Sequence, residues 1–208
     1  TRPQWLARVA TLRESLPLKQ PGAEAVCSPY GIIRALGRIV PKDAIITTDV
    51  GQHQMWAAQA YPFTRADRWL TSGGLGTMGF GLPAAIGAAL VEPETPVVCI
   101  SGDGSLLMNV QELATLAELN LNVKLILLDN QALGMVRQQQ ELFYQQRFVA
   151  SLFERCSDFV AIARAFGIPA SDLGRTSDPA GELRQAFAQP GPTLIRVPIA
   201  AQSHVMPM

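Results

Sequence analysis

A short motif, Gly102-Asp103-Gly104-Ser105, contains the residue types of this chain that are best suited to chemistry. Asn130 follows 27 residues after its aspartate. A carboxylate and an amide oxygen suit a hard cation such as Mg²⁺, which prefers oxygen ligands and often shares them with phosphate groups. The glycines allow backbone N–H groups to approach those phosphates where a helix begins. The two motifs together predict a site that anchors a diphosphate through a metal ion.

Two apolar runs place these motifs on neighbouring strands. Residues 96–101 precede the glycine motif, and residues 123–128 precede Asp129-Asn130. Short apolar runs of this kind are typical of buried parallel strands. Because open α/β sheets bind ligands beyond the carboxyl ends of their strands, we expect the two motifs to lie side by side at that edge.

Strand and helix patterns alternate along the chain from Ser28 onward. They predict strands at 44–48, 96–101, 123–128 and 192–198. They predict helices at about 30–40, 52–60, 82–90, 109–119, from 134, 157–166 and 179–188. This alternation indicates βαβ units, so the predicted fold is α/β, a doubly wound, mainly parallel sheet with helices on both faces. Residues 1–20 predict a short amphipathic helix before a connector that contains Pro and Gly.

Composition limits the function classes. The chain has 208 residues, and 17 basic residues balance 17 acidic ones, so no charge excess favours nucleic acid or a membrane surface as partner. Its apolar runs reach about six to eight residues, far below the roughly 20 that span a bilayer. Three widely spaced cysteines, Cys27, Cys99 and Cys156, are typical of reduced thiols. We expect a cytoplasmic protein and, since the chain starts at Thr1 without a signal pattern, a fragment of a longer one.

A second glycine-rich segment, Gly74-Leu75-Gly76-Thr77-Met78-Gly79, matches the dinucleotide fingerprint G-x-G-x-x-G. Three features argue against NAD. The preceding residues 68–72 make a poor buried strand, the motif lies in mid-chain, and residues 102–105 already offer a better phosphate site. A NAD-binding oxidoreductase domain stays an alternative. Another is that the glycines have only a structural role and allow close packing where the next helix begins.

Three segments resemble the acetohydroxyacid synthase (acetolactate synthase) large subunit. They are TDVGQHQMW at 48–56, LTSGGLGTMGFGLPAAIG at 70–87, and LGMV with LFY within 133–144. The Gly-Asp-Gly…Asn pattern likewise resembles the signature of thiamine diphosphate enzymes. The similarity runs from about residue 30 and follows the family's order. It implies that residues 28–208 form the C-terminal diphosphate-binding domain and that 1–27 are a linker and helix from the preceding domain.

The resemblance implies a metal site. Asp103 and Asn130 would hold Mg²⁺, and the backbone carbonyl of Ala132 would complete the protein ligands. Many family members have Asn-Asn where this chain has Asp129-Asn130. The ligand is the second of the two positions, so the change keeps the site and adds negative charge beside it.

The resemblance also implies how thiamine diphosphate is bound. Gly104 and Ser105 would meet the diphosphate from one side, and Gln52 and His53 from the other. Met78 would wedge under the cofactor and hold its rings bent. The implied cofactor-binding residues are Val50, Gly51, Gln52, His53, Gly76, Met78, Gly102, Asp103, Gly104, Ser105, Gly134, Met135 and Val136.

The implied activity is that of acetolactate synthase, a transferase of branched-chain amino acid biosynthesis that decarboxylates pyruvate and joins the product to a second 2-keto acid. The glutamate that activates the cofactor would come from the N-terminal pyrimidine-binding domain of a second subunit. None of Glu112, Glu118 or Glu141 sits in its motif, so no catalytic residue is assigned on this chain. A homodimer or larger assembly follows, with a possible small regulatory subunit and with FAD bound mainly outside this chain.

Gln139 stands where many anabolic family members have Trp. That Trp favours 2-ketobutyrate as the second substrate, so Gln139 implies little such preference. Two further readings stay open: another thiamine diphosphate carboligase or decarboxylase, such as a sulfoacetaldehyde acetyltransferase, and a non-catalytic association module.

Overall fold

The computed structural model describes residues 2–206, in which six parallel strands form one sheet. The strands are β1 (Ile45–Thr48), β2 (Trp69–Thr71), β3 (Val97–Gly102), β4 (Val123–Asp129), β5 (Ala170–Asp172) and β6 (Thr193–Pro198). Their order across the sheet is β2-β1-β3-β4-β6-β5. Every pair in this sheet is parallel, which confirms the predicted fold class.

The described residues form nine α-helices, most of which pack on one of the two faces of the sheet. They are α1 (Pro3–Ser15), α2 (Pro29–Ile39), α3 (Gln52–Ala60), α4 (Gly81–Val91), α5 (Asp103–Leu106), α6 (Glu112–Glu118), α7 (Gly134–Phe143), α8 (Phe159–Ala165) and α9 (Pro179–Ala188). Successive residues of a strand point to opposite faces. Ile126 of β4 therefore packs with α2, α3 and α9, while the preceding Leu125 packs with α4, α6 and α8. Each face of the sheet is therefore covered by its own apolar core.

The strand order reverses at β1. The chain leaves β1 through α3 to reach β2 on one side, and then crosses through α4 to β3 on the other side. Connections that diverge in this way open a crevice beyond the carboxyl ends of the two strands. Gly102 pairs with Leu128 in register, which brings the end of β3 beside the end of β4. The motifs at 102–105 and 130 therefore lie next to each other, as predicted.

Two strands were not predicted. Residues 68–72 were expected to make a poor buried strand, yet Trp69–Thr71 forms β2 at the edge of the sheet, half buried. Its side chains bond to β1, since the indole Nε1 of Trp69 donates to Thr48 Oγ1 at 3.0 Å. The short β5 occupies the opposite edge. Both strands have three residues, too few to show a periodic pattern.

The N-terminal helix is present but shorter than predicted. It runs over Pro3–Ser15, and none of its described residues is buried. Trp5, Leu6 and Leu12 are exposed, so the apolar side chains of α1 do not join either core. The start of the predicted helix, residue 1, lies outside the described residues. No helix within residues 2–206 is both long enough and apolar enough to cross a membrane. The three cysteines are unpaired.

Candidate cofactor site

A cleft with about 600 Å³ of empty space opens beyond the carboxyl ends of β1, β3 and β4. The cleft brings together most of the predicted residues: Val50, Gly51, Gln52, His53, Met78, Gly102, Asp103, Gly104, Ser105, Asn130, Ala132, Gly134, Met135 and Val136. Gly76 and Gln139 are not among its lining residues.

The side chains of Asp103 and Asn130 converge on one backbone group. The nitrogen of Ala132 donates to Asp103 Oδ2 at 3.2 Å and to Asn130 Oδ1 at 3.2 Å. Asp103 is 2% exposed and Asn130 is 9% exposed, so both oxygens are largely shielded from water. A carboxylate oxygen and an amide oxygen held this closely form a donor set that fits Mg²⁺. The three predicted ligand residues are therefore neighbours in the fold.

The carboxyl group of Asp103 is costly to ionise where it lies. Its pKa is raised to about 7, chiefly by burial; the N–H of Gly104 acts in the opposite direction, and the nearby Asp129 adds to the increase. The bond from that N–H to Asp103 Oδ1 measures 2.8 Å. Because a cation binds the ionised form, cation binding at this site is coupled to loss of a proton.

Arg196 pairs with the additional carboxylate beside Asn130. Its Nε lies 2.6 Å from Asp129 Oδ2, and its Nη1 lies 2.8 Å from Asp172 Oδ2. This arrangement joins the ends of β4, β6 and β5 in one charged network. Arg196 thus offsets part of the negative charge that we expected Asp129 to add, while the Asp129 carboxylate still raises the pKa of Asp103.

His53 lies on the cleft wall in the first turn of α3. Burial lowers its pKa to about 4, so the ring is neutral near pH 7. Its Nε2 is buried and has no hydrogen-bond partner among the described residues. Since buried polar atoms are seldom left unpaired, this nitrogen fits a polar group of a ligand.

Gln52 and Ser105, unlike His53, have their side chains engaged within the protein. Gln52 Nε2 donates to Gln138 Oε1 at 2.7 Å and to the carbonyl of Ser203 at 2.9 Å. The hydroxyl of Ser105 donates to the carbonyl of Val50 at 3.0 Å, which joins the ends of β1 and β3. In this arrangement the backbone N–H groups of Gln52 and Ser105 are the donors left for the predicted phosphate contacts.

Three helices, α3, α5 and α7, begin at the cleft without a side-chain cap. The first turns of α3 and α7 receive no hydrogen bond from a capping side chain, whereas Ser28, Asp158 and Asp178 cap α2, α8 and α9. Free N–H groups and the partial positive charge of a helix N-terminus favour an anion. At the start of α7, a Cβ on Gly134 would lie 2.1 Å from Gln52 Oε1. Glycine is therefore required for this helix to approach the cleft.

Asp49 anchors the glycine-rich segment to the end of β1. Its Oδ1 accepts from the N–H of Gly79 at 2.7 Å, and its Oδ2 accepts from the N–H of Gly81 at 3.2 Å. On the other side, Asn109 Nδ2 donates to the carbonyl of Gly79 at 2.6 Å. Gly79 has a φ of +88°, which favours glycine. This double attachment sets Met78 against the cleft.

The tip of the same segment is not attached in this way. The side chain of Leu75 is 94% exposed, and no atom lies within 4 Å of where a Cβ of Gly73 or Gly74 would be. The bonds of the turn are internal, from the N–H of Gly76 to the carbonyl of Ser72 at 3.2 Å and from the N–H of Thr77 to Ser72 Oγ at 2.9 Å. Gly76 thus lies at the rim, and its part in binding the cofactor stays a prediction.

Sequence reasoning missed several residues of the site. Asp49 and Asn109 position the glycine-rich segment, and an aspartate directly after a predicted strand was the available signal for the first. Four apolar residues also line the cleft without having been predicted: Trp56, Leu128, Leu133 and Ile199. Trp56 lies in a segment that carries the resemblance, while Leu128 and Ile199 read as ordinary core residues in the sequence.

The outer rim of the cleft is apolar and open. Met78 and Met135 are half buried and Val136 is exposed, as are Phe143 and Tyr144 at the far end of α7. Since the resemblance implies that a second subunit completes the site, we expect Met78, Met135, Val136 and the helix after Gly134 to face that partner. Their incomplete burial agrees with that expectation, and the partner itself stays a prediction.

Three features are typical of domains that bind a cofactor through its diphosphate. They are a parallel doubly wound sheet, a cleft at the point where the strand order reverses, and a set of oxygen ligands. Residues 49–197 match the family of the thiamine pyrophosphate enzyme, C-terminal TPP binding domain, and the chain belongs to this family.

Its relatives are more specific. The chain is 53% identical over 207 residues to the acetolactate synthase isozyme 1 large subunit of Escherichia coli K12, with 100% of this chain and 37% of the relative covered. It is 46% identical over 206 residues to the isozyme 2 large subunit of the same organism, with 98% and 37% covered. It is 42% identical over 204 residues to the acetolactate synthase large subunit of Lactococcus lactis, with 98% and 35% covered. The chain thus spans little more than a third of the length of these curated relatives.

Proposed function

We propose that this chain is the diphosphate-binding part of an acetolactate synthase catalytic subunit and that it binds thiamine diphosphate through Mg²⁺. The intact enzyme decarboxylates pyruvate and joins the product to a second 2-keto acid in branched-chain amino acid biosynthesis. The observation that carries the proposal is the convergence of Asp103 Oδ2 and Asn130 Oδ1 on the N–H of Ala132. The names of the relatives support the particular reaction.

Different residues of the cleft bind the metal ion and the diphosphate. Asp103 and Asn130 hold Mg²⁺, and Ala132 supplies its backbone carbonyl. The N–H groups at the starts of α3, α5 and α7 donate to the diphosphate, with His53 Nε2 beside them. A metal ion and several N–H donors together offset the charge of a diphosphate in a largely apolar cleft.

Thiamine diphosphate, when bound, supplies the electron sink that decarboxylation of a 2-keto acid requires. Met78 gives an adaptable apolar surface against which the cofactor rings are oriented. Asp103 is the one carboxylate among the described residues that line the cleft, and it is committed to the cation. As the family resemblance implies, we assign the activating glutamate to the pyrimidine-binding domain of a second subunit, so the working enzyme is a homodimer or larger.

The wider assignments rest on the same proposal. We place the reaction in the cytoplasm, and we assign FAD mainly to a domain outside this chain. A small regulatory subunit is consistent with the name "large subunit" that the relatives carry.

Ligand-induced stabilisation of the purified protein tests the proposal. Thiamine diphosphate with Mg²⁺ raises the melting temperature, because a ligand that binds only the native state at 100 times its Kd adds about 2.7 kcal/mol. Thiamine with Mg²⁺ is the matched control, since it lacks the diphosphate, and it leaves the melting temperature unchanged. Stabilisation by NAD in place of thiamine diphosphate would support the oxidoreductase alternative. No stabilisation by either compound would support a non-catalytic module.

Substrate preference gives a further prediction. Gln139 is exposed on α7, immediately after the buried Gln138. In the intact enzyme a Gln139→Trp change should raise the preference for 2-ketobutyrate over pyruvate as acceptor by about tenfold, because one extra methylene in apolar contact contributes roughly 1–3 kcal/mol. Competition between the two keto acids, with both products quantified, measures the ratio. An unchanged ratio in an active variant would show that Gln139 does not face the acceptor.

A further inference from the structure

Three side-chain amides form a continuous chain from the C-terminal segment to the candidate metal site. Asn130 Nδ2 donates to Gln52 Oε1 at 3.1 Å, and Gln52 Nε2 donates to Gln138 Oε1 at 2.7 Å. Gln138 then meets the backbone of Val205, to which its Nε2 donates at 2.8 Å and from which its Oε1 accepts at 3.0 Å. We call Asn130, Gln52 and Gln138 the amide chain. All three side chains are buried.

The direction of the amide chain is set at its far end. An amide side chain has an oxygen end and a nitrogen end of nearly equal size, and only the oxygen end can bind a cation. The backbone of Val205 has no such ambiguity, because its N–H only donates and its carbonyl only accepts. It therefore fixes which end of Gln138 faces Gln52. The carbonyl of Ser203, which accepts from Gln52 Nε2 at 2.9 Å, supports the same direction.

We propose that Gln138 is a positioning residue that directs the oxygen of Asn130 toward the cation through Gln52. The inference rests on the proposed function, since it concerns the Mg²⁺ site of that function. With Gln138 Oε1 facing Gln52 Nε2, the Oε1 atom of Gln52 is turned to Asn130 Nδ2. The nitrogen end of Asn130 is thereby occupied, and its Oδ1 is left on the side of Asp103 and Ala132.

Reversal of the chain would cost hydrogen bonds at each step. Turning the amide of Gln52 by half a rotation would set two oxygens against each other at Gln138 and at Ser203, and two N–H₂ groups against each other at Asn130. Because these atoms are buried, water does not replace the lost partners. Gln138 thus contributes to cation affinity without lining the cleft.

The test measures metal affinity directly. In the intact protein with saturating thiamine diphosphate, the fraction of free Mn²⁺ is followed by electron paramagnetic resonance, and Mg²⁺ is then added as a competitor. A Gln138→Leu change should weaken Mg²⁺ binding by about tenfold, the lower end of the effect of residues that orient metal ligands. The loss stays at that end because Ser203 still accepts from Gln52.

Two further variants separate orientation from general damage. Gln138→Glu should restore affinity to near the wild-type value, because a glutamate in either protonation state keeps an acceptor facing Gln52 Nε2. Gln59→Leu is the matched control: Gln59 also donates to the C-terminal segment, at the carbonyl of Met206, but has no part in the amide chain. It should leave Mg²⁺ affinity unchanged. Near-ultraviolet circular dichroism confirms that each variant is folded.

The outcomes also distinguish this inference from the proposed function. If the wild-type protein binds no metal in a diphosphate-dependent way, the proposed function itself fails. If the wild type binds and Gln138→Leu binds equally well, the positioning role is wrong. Equal losses in Gln138→Leu and Gln138→Glu, or an equal loss in Gln59→Leu, would show that docking of the C-terminal segment matters and that amide orientation does not.

Discussion

An Asp103→Ala variant should lose Mg²⁺-dependent binding of thiamine diphosphate while keeping its fold. The carboxylate is the one charged ligand in the predicted set, and even residues that only orient a metal ligand change affinity by 10–100-fold, so we expect a loss of more than about 100-fold. Asp103 lies at a strand end outside both apolar cores, so its removal leaves the sheet in place. Cofactor affinity in the intact protein is measured by titration at fixed Mg²⁺.

The exposed Asp67, which pairs with Arg65 on the surface, supplies the control variant Asp67→Ala. A loss of less than about threefold in Asp103→Ala, well below the range for metal-site residues, would show that the metal assignment is wrong.

The pH dependence of stability tests the buried state of Asp103 independently of the metal. Since burial raises the pKa of Asp103 from 3.8 to about 7, its contribution to the stability of the wild-type protein without cofactor is lost as the pH rises through that window. The melting temperature of Asp103→Ala relative to wild type should therefore increase from pH 5 to pH 8.

The isolated chain should form no acetolactate, even with pyruvate, thiamine diphosphate and Mg²⁺ present. Asp103 is the one carboxylate among the described cleft residues, and our proposal assigns it to the cation, so the group that activates the cofactor lies outside this chain. The rim formed by Met135 and Val136 is also open, which would leave the reacting atoms in contact with water. Product is quantified after prolonged incubation, with the intact protein as the positive control.

Cofactor binding by the isolated chain is measured in parallel, so that a negative result is not confused with an unfolded sample. Turnover above the background without protein would contradict the proposal that the activating glutamate comes from a second subunit. It would then require a carboxylate of this chain to do the activation, and the candidates would be those outside the cleft.

Much of the fold could be predicted because two central strands of the sheet are long and apolar. Strands β3 and β4 show six or seven successive buried residues, and the motifs that follow them are polar and rich in glycine. Strands β2 and β5 could not be predicted in this way. They are three-residue edge strands whose pairing depends on neighbours already in place, such as Thr48 beside Trp69.

The residues of the site likewise fall into those that a sequence motif reveals and those that only the fold reveals. Residues that act by their own chemistry, such as Asp103 and Asn130, are visible as motifs. Residues that act through others are not, because Asp49 meets Gly79 across 30 positions of sequence and Gln52 meets Gln138 across 86. The pairing of Asp129 with Arg196, 67 positions apart, is hidden for the same reason, and it offsets part of the extra charge.

The unequal attachment of the glycine-rich segment has a kinetic consequence. Its inner end is held at Gly79 by Asp49 and Asn109, whereas the hydrogen bonds of its outer end around Leu75 lie, among the described residues, within its own turn. In the function that we propose, the inner end would hold Met78 against the cofactor and so contribute to equilibrium affinity. The outer end would influence how quickly the cofactor enters and leaves, because segments with few outside contacts open at low free energy. We therefore expect substitutions at the tip of this segment to change the residence time of the cofactor more than its equilibrium affinity.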